Sequence, residues 1–415
     1  MTELVANTKL EGAIDVVSSK SDAQRAILAA GLSNGLSKIY NIGSSDDVLS
    51  MLWNIECIGA EISNISSDCV EVKGTKKFPT EFTFNIGESG LALRLLTCIC
   101  AAHEGIHEIK GEGTINSRKH SFFEENLNIY GAQITTKDGH LPIKIEGVLN
   151  SGNLTVDGSL SSQYISGLLM ALPLLEGDSV LTVDNLTSSP YVQMTLDTLV
   201  SFGVKIDFDN FKSFRIQRNQ KYLATDYNVE GDWSAASGWL VASAIGHNVE
   251  ISGLNLNSSQ ADIKILEAFE KANCEVRIDS GKLSIAGTDR KAFEFDARHC
   301  PDLFPALVVL AIFSEGQSKI EGVSRLRNKE SDRAAVLREE FTKLGADISI
   351  VDDLLIINGG KELRSAVVES NADHRIAMML AIAGTMIEGG LTINNAEAVS
   401  KSYPEFWDDF NSLTR

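Results

Sequence analysis

The sequence predicts an α/β protein of two domains, built from six copies of one unit of about 70 residues. Three observations predict it. A helix-stop phrase recurs at even spacing, a helix-start phrase recurs between the stops, and an alternating strand follows each start. The chain of 415 residues is also too long for one ordinary core.

The stop phrase is an amphipathic helix, a small residue and then β-branched steps. It reads MLWNIECIGAEI to Ile62, ENLNIYGAQI to Ile134, LDTLVSFGVKI to Ile206, EAFEKANCEV to Val276 and LREEFTKLGADI to Ile348. The stops are Gly59, Gly131, Gly203, Asn273 and Gly345, spaced by 72, 72, 70 and 72 residues. Gly or Asn at such a place predicts a C-cap of positive φ.

The start series opens apolar, small-residue-rich helices at Ser21, Ser89, Ser161, Asp232, Asp302 and Asp373, spaced by 68, 72, 71, 70 and 71 residues. Each helix is followed by a strand of period two: SKIYNI, IHEIKG, SVLTVDN, NVEISG, QSKIEG and LTINNA. Six units suit two domains of three. A strand at Ala13 to Val17 precedes the first helix, and the sixth unit stops after its helix. Placing that strand with the C-terminal half gives one domain of residues 1–18 and 231–415, and another of residues 19–230. The active site is expected in a cleft between them, closed about the double hinge.

Composition narrows the function. Apolar residues make up 43% and charged residues 22%, a globular mix. A formal charge of -19 excludes nucleic acid and anionic membranes as natural partners, so any anion site must be a local basic pocket. The longest apolar run, Leu303 to Phe313, is far short of a membrane span, and the N-terminus has no signal-peptide pattern. The six cysteines form no C-x-x-C pair and read as reduced, mostly buried thiols. His103 and His107 stand four apart but flank Gly105, and read as surface or capping histidines. Cys98, Cys100, Met378 and Met379 read as core. Trp53, Trp233, Trp239 and Trp407 form no stacking array for nucleic acid.

The chemistry collects at the helix starts. These are KSDAQR (Lys20–Arg25), GESGLALR (Gly87–Arg94), SSQY (Ser161–Tyr164), GDWSAAS (Gly231–Ser237), CPDLFP (Cys300–Pro305) and NADHR (Asn371–Arg375). A helix N-terminus offers N–H groups and a positive dipole end to an anion. Arg25, Arg94 and Arg375 add charge one turn on. Asp232 and Ser89 read as plain N-caps. Lys20, Ser21 and Arg25 exceed what capping requires. Two further phrases, RLRNKESDR (Arg325–Arg333) and SKSYPEF (Ser400–Phe406, with Lys401), lie at strand-to-helix turns, the functional end of α/β units.

At these phrases the sequence resembles the 5-enolpyruvylshikimate-3-phosphate synthase family. The likeness rests on nine phrases in one order: SKS…R from Ser19 to Arg25, GESGLALR, GSLSSQYISGLLMALPL, SSPYVQMTL, VEGDWSAAS, PDLFPAL, KESDR, ADHR and SKSYPEF. It implies a two-domain inside-out α/β barrel, each domain three copies of a βαβαββ unit. It implies transfer of the enolpyruvyl group of phosphoenolpyruvate to the 5-hydroxyl of shikimate 3-phosphate, by addition and then elimination through a tetrahedral ketal. This is the sixth step of the shikimate pathway to chorismate and aromatic amino acids.

Roles follow residue by residue from the resemblance. Lys20, Ser21 and Arg25 match positions facing phosphate and carboxylate. Ser161, Ser162, Gln163, Ser188, Tyr191 and Lys329 match shikimate 3-phosphate contacts. Lys20, Gly90, Arg94, Arg118, Gln163, Arg333, Arg375 and Lys401 match the phosphoenolpyruvate clamp. Asp302 matches the base on the shikimate 5-hydroxyl. Glu330 matches the acid serving the vinyl carbon, with His374 adjacent and Lys20 a second proton carrier. Most relatives show Asn and Thr where this chain has Glu88 and Leu91, and often Pro where it has Lys119.

The two substrates bring about five to six negative charges, which explains the need for so many Lys and Arg. No metal or organic cofactor is expected, because phosphate is already a leaving group that cations can stabilise. A cytoplasmic monomer is expected. The sister enolpyruvyl transferase acting on UDP-N-acetylglucosamine typically carries a reactive Cys where this chain reads GEGTINSRKH (Gly111–His120). A non-enzymatic repeat scaffold would not need basic groups at its helix starts. Because basic groups fall on both predicted domains, shikimate 3-phosphate is expected to shrink the radius of gyration in small-angle scattering. An unchanged radius would count against closure.

Overall fold

The computed structural model describes residues 1–66, 68–75, 77–327 and 329–414. It divides into a central unit, Ser18–Val229, and a terminal unit, Met1–Val17 with Glu230–Arg415. Both are mixed α/β.

The central unit has three four-stranded sheets. In one, Glu81–Asn85 runs parallel to Ile106–Lys110. Ile106–Lys110 pairs antiparallel with His140–Glu146, and that strand with the edge strand Gln133–Lys137. Asn153–Asp157, Ser179–Asp184, Ser213–Ile216 and Ile206–Asp209 repeat this order. In the third sheet the first place is filled from the far end of the unit: Tyr227–Asn228 lies parallel to Leu36–Tyr40, beside Cys69–Lys73 and Glu61–Ser63.

The terminal unit follows suit. Glu294–Asp296, Gly316–Glu321, Leu354–Gly359 and Asp347–Val351 form one four-stranded sheet. Glu11–Asp15 pairs parallel with Asn248–Ser252, next to Lys282–Ala286 and Glu275–Asp279. This strand starts two residues before the Ala13 expected from sequence. A three-stranded sheet joins Val367–Glu369, Leu391–Asn394 and Thr2–Val5.

Each predicted helix stop is left-handed: Gly59, Gly131, Gly203 and Gly345 have φ of 96°, 99°, 80° and 96°, and Asn273 has φ 60°. The next residues can therefore turn back as a strand without a Cβ clash. Four predicted starts are N-caps whose side chains accept a backbone N–H: Ser89, Ser161, Asp232 and Asp373.

Two starts need correction. Ser19, not Ser21, caps the helix Lys20–Leu32, because its hydroxyl accepts from Asp22 N three residues on. Asp302 is not an N-cap. It lies in the 3-10 turn Pro301–Leu303, ahead of the helix Phe304–Ile312, and its carboxylate is taken by cations instead.

In each unit three start-series helices form the core. Lys20–Leu32, Gly90–Ala101 and Ser162–Ala171 do so in the central unit; Trp233–Ile245, Phe304–Ile312 and His374–Gly384 do so in the terminal unit. Every residue of Phe304–Ile312 is buried, as expected of a helix apolar all round. Gly167 brings two helices close: a Cβ there would lie 2.5 Å from Arg94 O.

Cys98, Cys100, Cys274 and Cys300 are buried, while Cys57 and Cys69 are half-buried. Met378 and Met379 are buried. His107 departs from its expected surface place: it is buried on the strand Ile106–Lys110, stacked 4.1 Å from the Phe82 ring. His103 stacks on Phe78 at 3.7 Å. Among the described residues no helix is long and apolar enough to cross a membrane.

Candidate active site

The predicted residues fall into two groups, one in each unit. In the central unit Arg25 is the hub. It is 1% exposed, yet its hydrogen bonds go to neutral oxygens: Nε to Thr195 Oγ1 (2.8 Å), Nη1 to Ser21 O (2.6 Å), and Nη2 to Tyr191 O (3.2 Å) and Ser166 Oγ (3.4 Å). These bonds fix the guanidinium without neutralising it. Burial pushes its pKa down to about 10, so it stays charged at neutral pH. It ties Lys20–Leu32 to Ser162–Ala171 and Ser189–Ser201, so three helix starts gather around it. Ser89 joins them by donating to Gln24 Oε1 at 2.8 Å. Ser188, just before Ser189–Ser201, is held at φ 55°, a conformation a Ser seldom adopts.

Lys20 begins its helix, with Nζ 3.0 Å from Asp47 Oδ2. Ser161 accepts from Gln163 N at 3.3 Å, leaving Ser162 as the first helical residue. Two arginines approach Gly90. Arg94 Nη1 donates to Gly90 O (2.7 Å) and Gln163 Oε1 (3.0 Å), and its guanidinium carbon lies 5.2 Å from the Tyr164 ring centroid. A Cβ on Gly90 would meet Arg94 Nη1 at 2.5 Å and Arg118 Nη1 at 3.8 Å. Gly90→Ala must therefore push Arg94 aside. If Gly90 and Arg94 form the phosphoenolpyruvate clamp that the resemblance implies, the variant should raise KM for that substrate at least severalfold with little change for the acceptor. Steady-state kinetics checks this, and an unchanged KM would remove Gly90 from the clamp.

In the terminal unit the hub is Arg333, 0% exposed and ringed by carboxylates. Nη1 donates to Asp302 Oδ1 (2.8 Å), Nη2 to Glu330 Oε2 (2.7 Å) and Asp373 Oδ1 (3.2 Å), and Nε to Asp373 Oδ2 (2.9 Å). Burial works against its charge, but the three acids outweigh it and raise its pKa further.

Asp302 Oδ1 also meets Lys329 Nζ at 3.2 Å, and Arg375 Nε at 3.6 Å as a charge contact. Burial disfavours the Asp302 anion. Arg375, Lys329 and Arg333 outweigh it and hold the carboxyl well below its ordinary range. Burial lowers Lys329, while Arg375 is raised on balance because Asp302 and other acids overcome its burial. Arg375 Nη1 donates to Ser234 Oγ. His374 opens its helix, buried. Lys401 ends the 3-10 helix Ala396–Lys401, also buried. Asp302 and Arg375 line a pocket backed by Trp239, Met378, Met379 and Phe406, an apolar wall that strengthens nearby charge interactions.

Sequence reasoning missed several partners. Asp47 pairs with Lys20, Ser166 and Thr195 hold Arg25, and Asp373 grips Arg333 besides capping its helix. Asp262, buried near Asp302, is pushed up to about 6 by burial first and then by Asp302. The acidic start phrase at Asp46–Asp47 was a usable signal for one of them. Among the described residues no cluster of three or more His, Cys, Asp or Glu is arranged to hold a metal ion.

Residues 4–410 match the model of the family described as EPSP synthase (3-phosphoshikimate 1-carboxyvinyltransferase). Proteins named 3-phosphoshikimate 1-carboxyvinyltransferase from Clostridium beijerinckii and Clostridium novyi are each 38% identical over 98% of this chain, spanning 95% and 96% of their own lengths. A solved EPSP synthase from Acinetobacter baumannii superposes with a TM-score of 0.83 at 25% identity, covering 100% of this chain and 98% of that one. The enolpyruvyl transferase NikO from Streptomyces tendae, at 15% identity, shares the fold: TM-score 0.77, covering 99% and 97% of the two chains.

Proposed function

Since the chain belongs to the EPSP synthase family and transfers the enolpyruvyl group of phosphoenolpyruvate to shikimate 3-phosphate, we propose that Asp302 is the base that starts this transfer. The observation that carries it is the cage of Lys329, Arg333 and Arg375 around one carboxylate oxygen.

An anion so held is a weak base until its cations find other partners. Two highly anionic substrates supply them. The shikimate phosphate takes Lys329, and phosphoenolpyruvate takes Arg375 and Arg333. Asp302 then regains basicity when both substrates are present. It accepts the proton of the 5-hydroxyl as that oxygen attacks C2 of phosphoenolpyruvate, while C3 gains a proton from Glu330 or Lys20, giving a tetrahedral ketal phosphate. Loss of phosphate and of a C3 proton restores the vinyl group. The arginines and Lys401 stabilise the departing phosphate, and His374 assists beside Glu330.

In the central unit, Arg25, Ser161, Ser162, Gln163, Ser188, Tyr191 and the first turn at Lys20–Ser21 hold shikimate 3-phosphate. Arg94 and Arg118, with Gly90 and Gln163, receive phosphoenolpyruvate. The neutral partners of Arg25 and Arg94 support this, because a guanidinium bonded only to neutral oxygens keeps its charge for a ligand. The recurring sheet order supports three copies of a βαβαββ unit in each half and an inside-out barrel. The protein acts as a cytoplasmic monomer.

The testing experiment offers phosphoenolpyruvate with shikimate 3-phosphate or with UDP-N-acetylglucosamine and follows phosphate release. Release is expected with the first acceptor only. Release with the second alone would overturn the acceptor assignment.

A further inference from the structure

Glu88 is an acid in the turn before the helix that carries Arg94, bonded to the 3-10 helix Gly113–Ser117 that Arg118 follows. Simple electrostatics sets it against an anionic ligand. Its contacts give it another purpose. Glu88 Oε2 accepts from Thr114 Oγ1 at 2.7 Å and from Thr114 N at 3.2 Å. The same Thr114 hydroxyl accepts from Arg118 Nη2 at 3.0 Å. A hydroxyl has one proton. Once it is committed to Glu88, the oxygen lone pairs face Arg118 and fix the direction of that guanidinium. The other amino group of Arg118, Nη1, lies 3.8 Å from where a Cβ of Gly90 would stand, beside Arg94 Nη1.

From this geometry we infer that Glu88 is a positioning residue, which aims Arg118 at phosphoenolpyruvate through the Thr114 hydroxyl. The inference rests on the reading of Arg118 as a phosphoenolpyruvate contact.

Two further observations support it. The Glu88 carboxylate is packed against Gly113, at φ 55°, where an added Cβ would fall 2.0 Å from Glu88 Oε1, so the backbone there is shaped around the acid. Two guanidinium groups drawn toward one glycine also repel each other, and a nearby carboxylate offsets that repulsion without touching the ligand. Glu88 is not the only tie that holds this segment. Glu112 N donates to Gly87 O at 2.7 Å and Asn85 Nδ2 to Glu112 Oε1 at 2.8 Å, and these bonds pin the segment independently.

The test compares Glu88→Ala, Thr114→Val, the double variant and Arg118→Ala by steady-state kinetics with both substrates varied. Loss of a charge-assisted hydrogen bond to the relay is expected to raise KM for phosphoenolpyruvate by roughly tenfold in each single variant. KM for shikimate 3-phosphate should stay within about twofold. The double variant should be no worse than the poorer single one, because both cut the same relay. Glu88→Gln, which keeps an acceptor for the hydroxyl but not the charge, should recover part of the loss. Equal rises for both substrates, wild-type values in Thr114→Val, or additive losses would overturn the inference. If Glu88→Ala does not fold, Thr114→Val decides alone, a raised KM supporting the relay and an unchanged one refuting it. If Arg118→Ala leaves KM for phosphoenolpyruvate unchanged, the reading of Arg118 has failed. If Arg118→Ala raises it and neither relay variant does, only the positioning role has failed.

Discussion

Asp302→Asn is expected to lower kcat by about 10²–10⁴, the usual contribution of a positioned general base. KM for both substrates should remain near the wild-type value or fall. Asparagine keeps the size of the side chain and a carbonyl oxygen to accept from Arg333 and Lys329, so the cage need not collapse. What it loses is the negative charge and the ability to take a proton. With that charge gone, Lys329, Arg333 and Arg375 attract anions more strongly, which is why binding is not expected to suffer. The split between kcat and KM is the informative readout: an interaction made only in the transition state lowers kcat alone. A variant that turns over at the wild-type rate would remove Asp302 from the proton-transfer step. One that binds both substrates poorly would make it a cage-building residue instead.

The difference between Asp302 and its neighbours shows what a sequence exposes. Asp232 and Asp373 stand at helix starts in the same series, and both cap their helices. Capping is local: it needs only a short polar side chain within three residues of the N–H it accepts. Such features repeat with the unit, so their spacing was legible, as were the left-handed stops from Gly59 to Gly345. Asp302 occupies the same place in the series but does not cap, because its oxygen is claimed by Lys329, 27 residues away, and by Arg333, 31 residues away.

Pairs of this kind leave no period. The acidic helix start at Asp46–Asp47 is visible in the sequence, but nothing near Lys20 assigns it as that lysine's partner, and nothing near Arg25 announces Ser166 and Thr195, 141 and 170 residues further on. Glu88 is the sharpest case. Read alone, it is an acid in the wrong place; its use becomes visible only when Thr114 is beside it. The resemblance located the charged groups, but which of them neutralise one another and which keep charge for a ligand required the packed helices.

Removal of Arg333 is expected to have the largest effect on stability. Arg333→Met keeps the apolar stem and deletes the charge that Asp302, Glu330 and Asp373 share, at a position with no exposure; Lys329 and Arg375 still meet Asp302, but the cluster is left with an excess of negative charge. Stripping one partner from a buried ionic cluster costs about 3–5 kcal/mol. At roughly 2–4 °C per kcal/mol for a domain of this size, the midpoint of thermal unfolding should drop by roughly 6–20 °C.

The pH dependence separates this cause from simple loss of packing. In the wild type the folded-state pKa of Asp302 is depressed, so its contribution is present above the unfolded pKa and is lost only as pH falls below the ordinary carboxylate range. Between pH 5 and 8 that group should give the wild type a flat profile. Arg333, whose pKa is raised, would lose its contribution only at strongly alkaline pH. In the variant Asp302 keeps Lys329 and Arg375 but loses one of the three cations that depress its carboxyl, so it contributes less above the ordinary carboxylate range. The deficit measured by chemical denaturation should therefore be constant from pH 8 to pH 5 and shrink only as pH falls through that range. A deficit that stays constant at acid pH as well would assign the loss to packing and would mean that Asp302 does not depend on Arg333 for its charge.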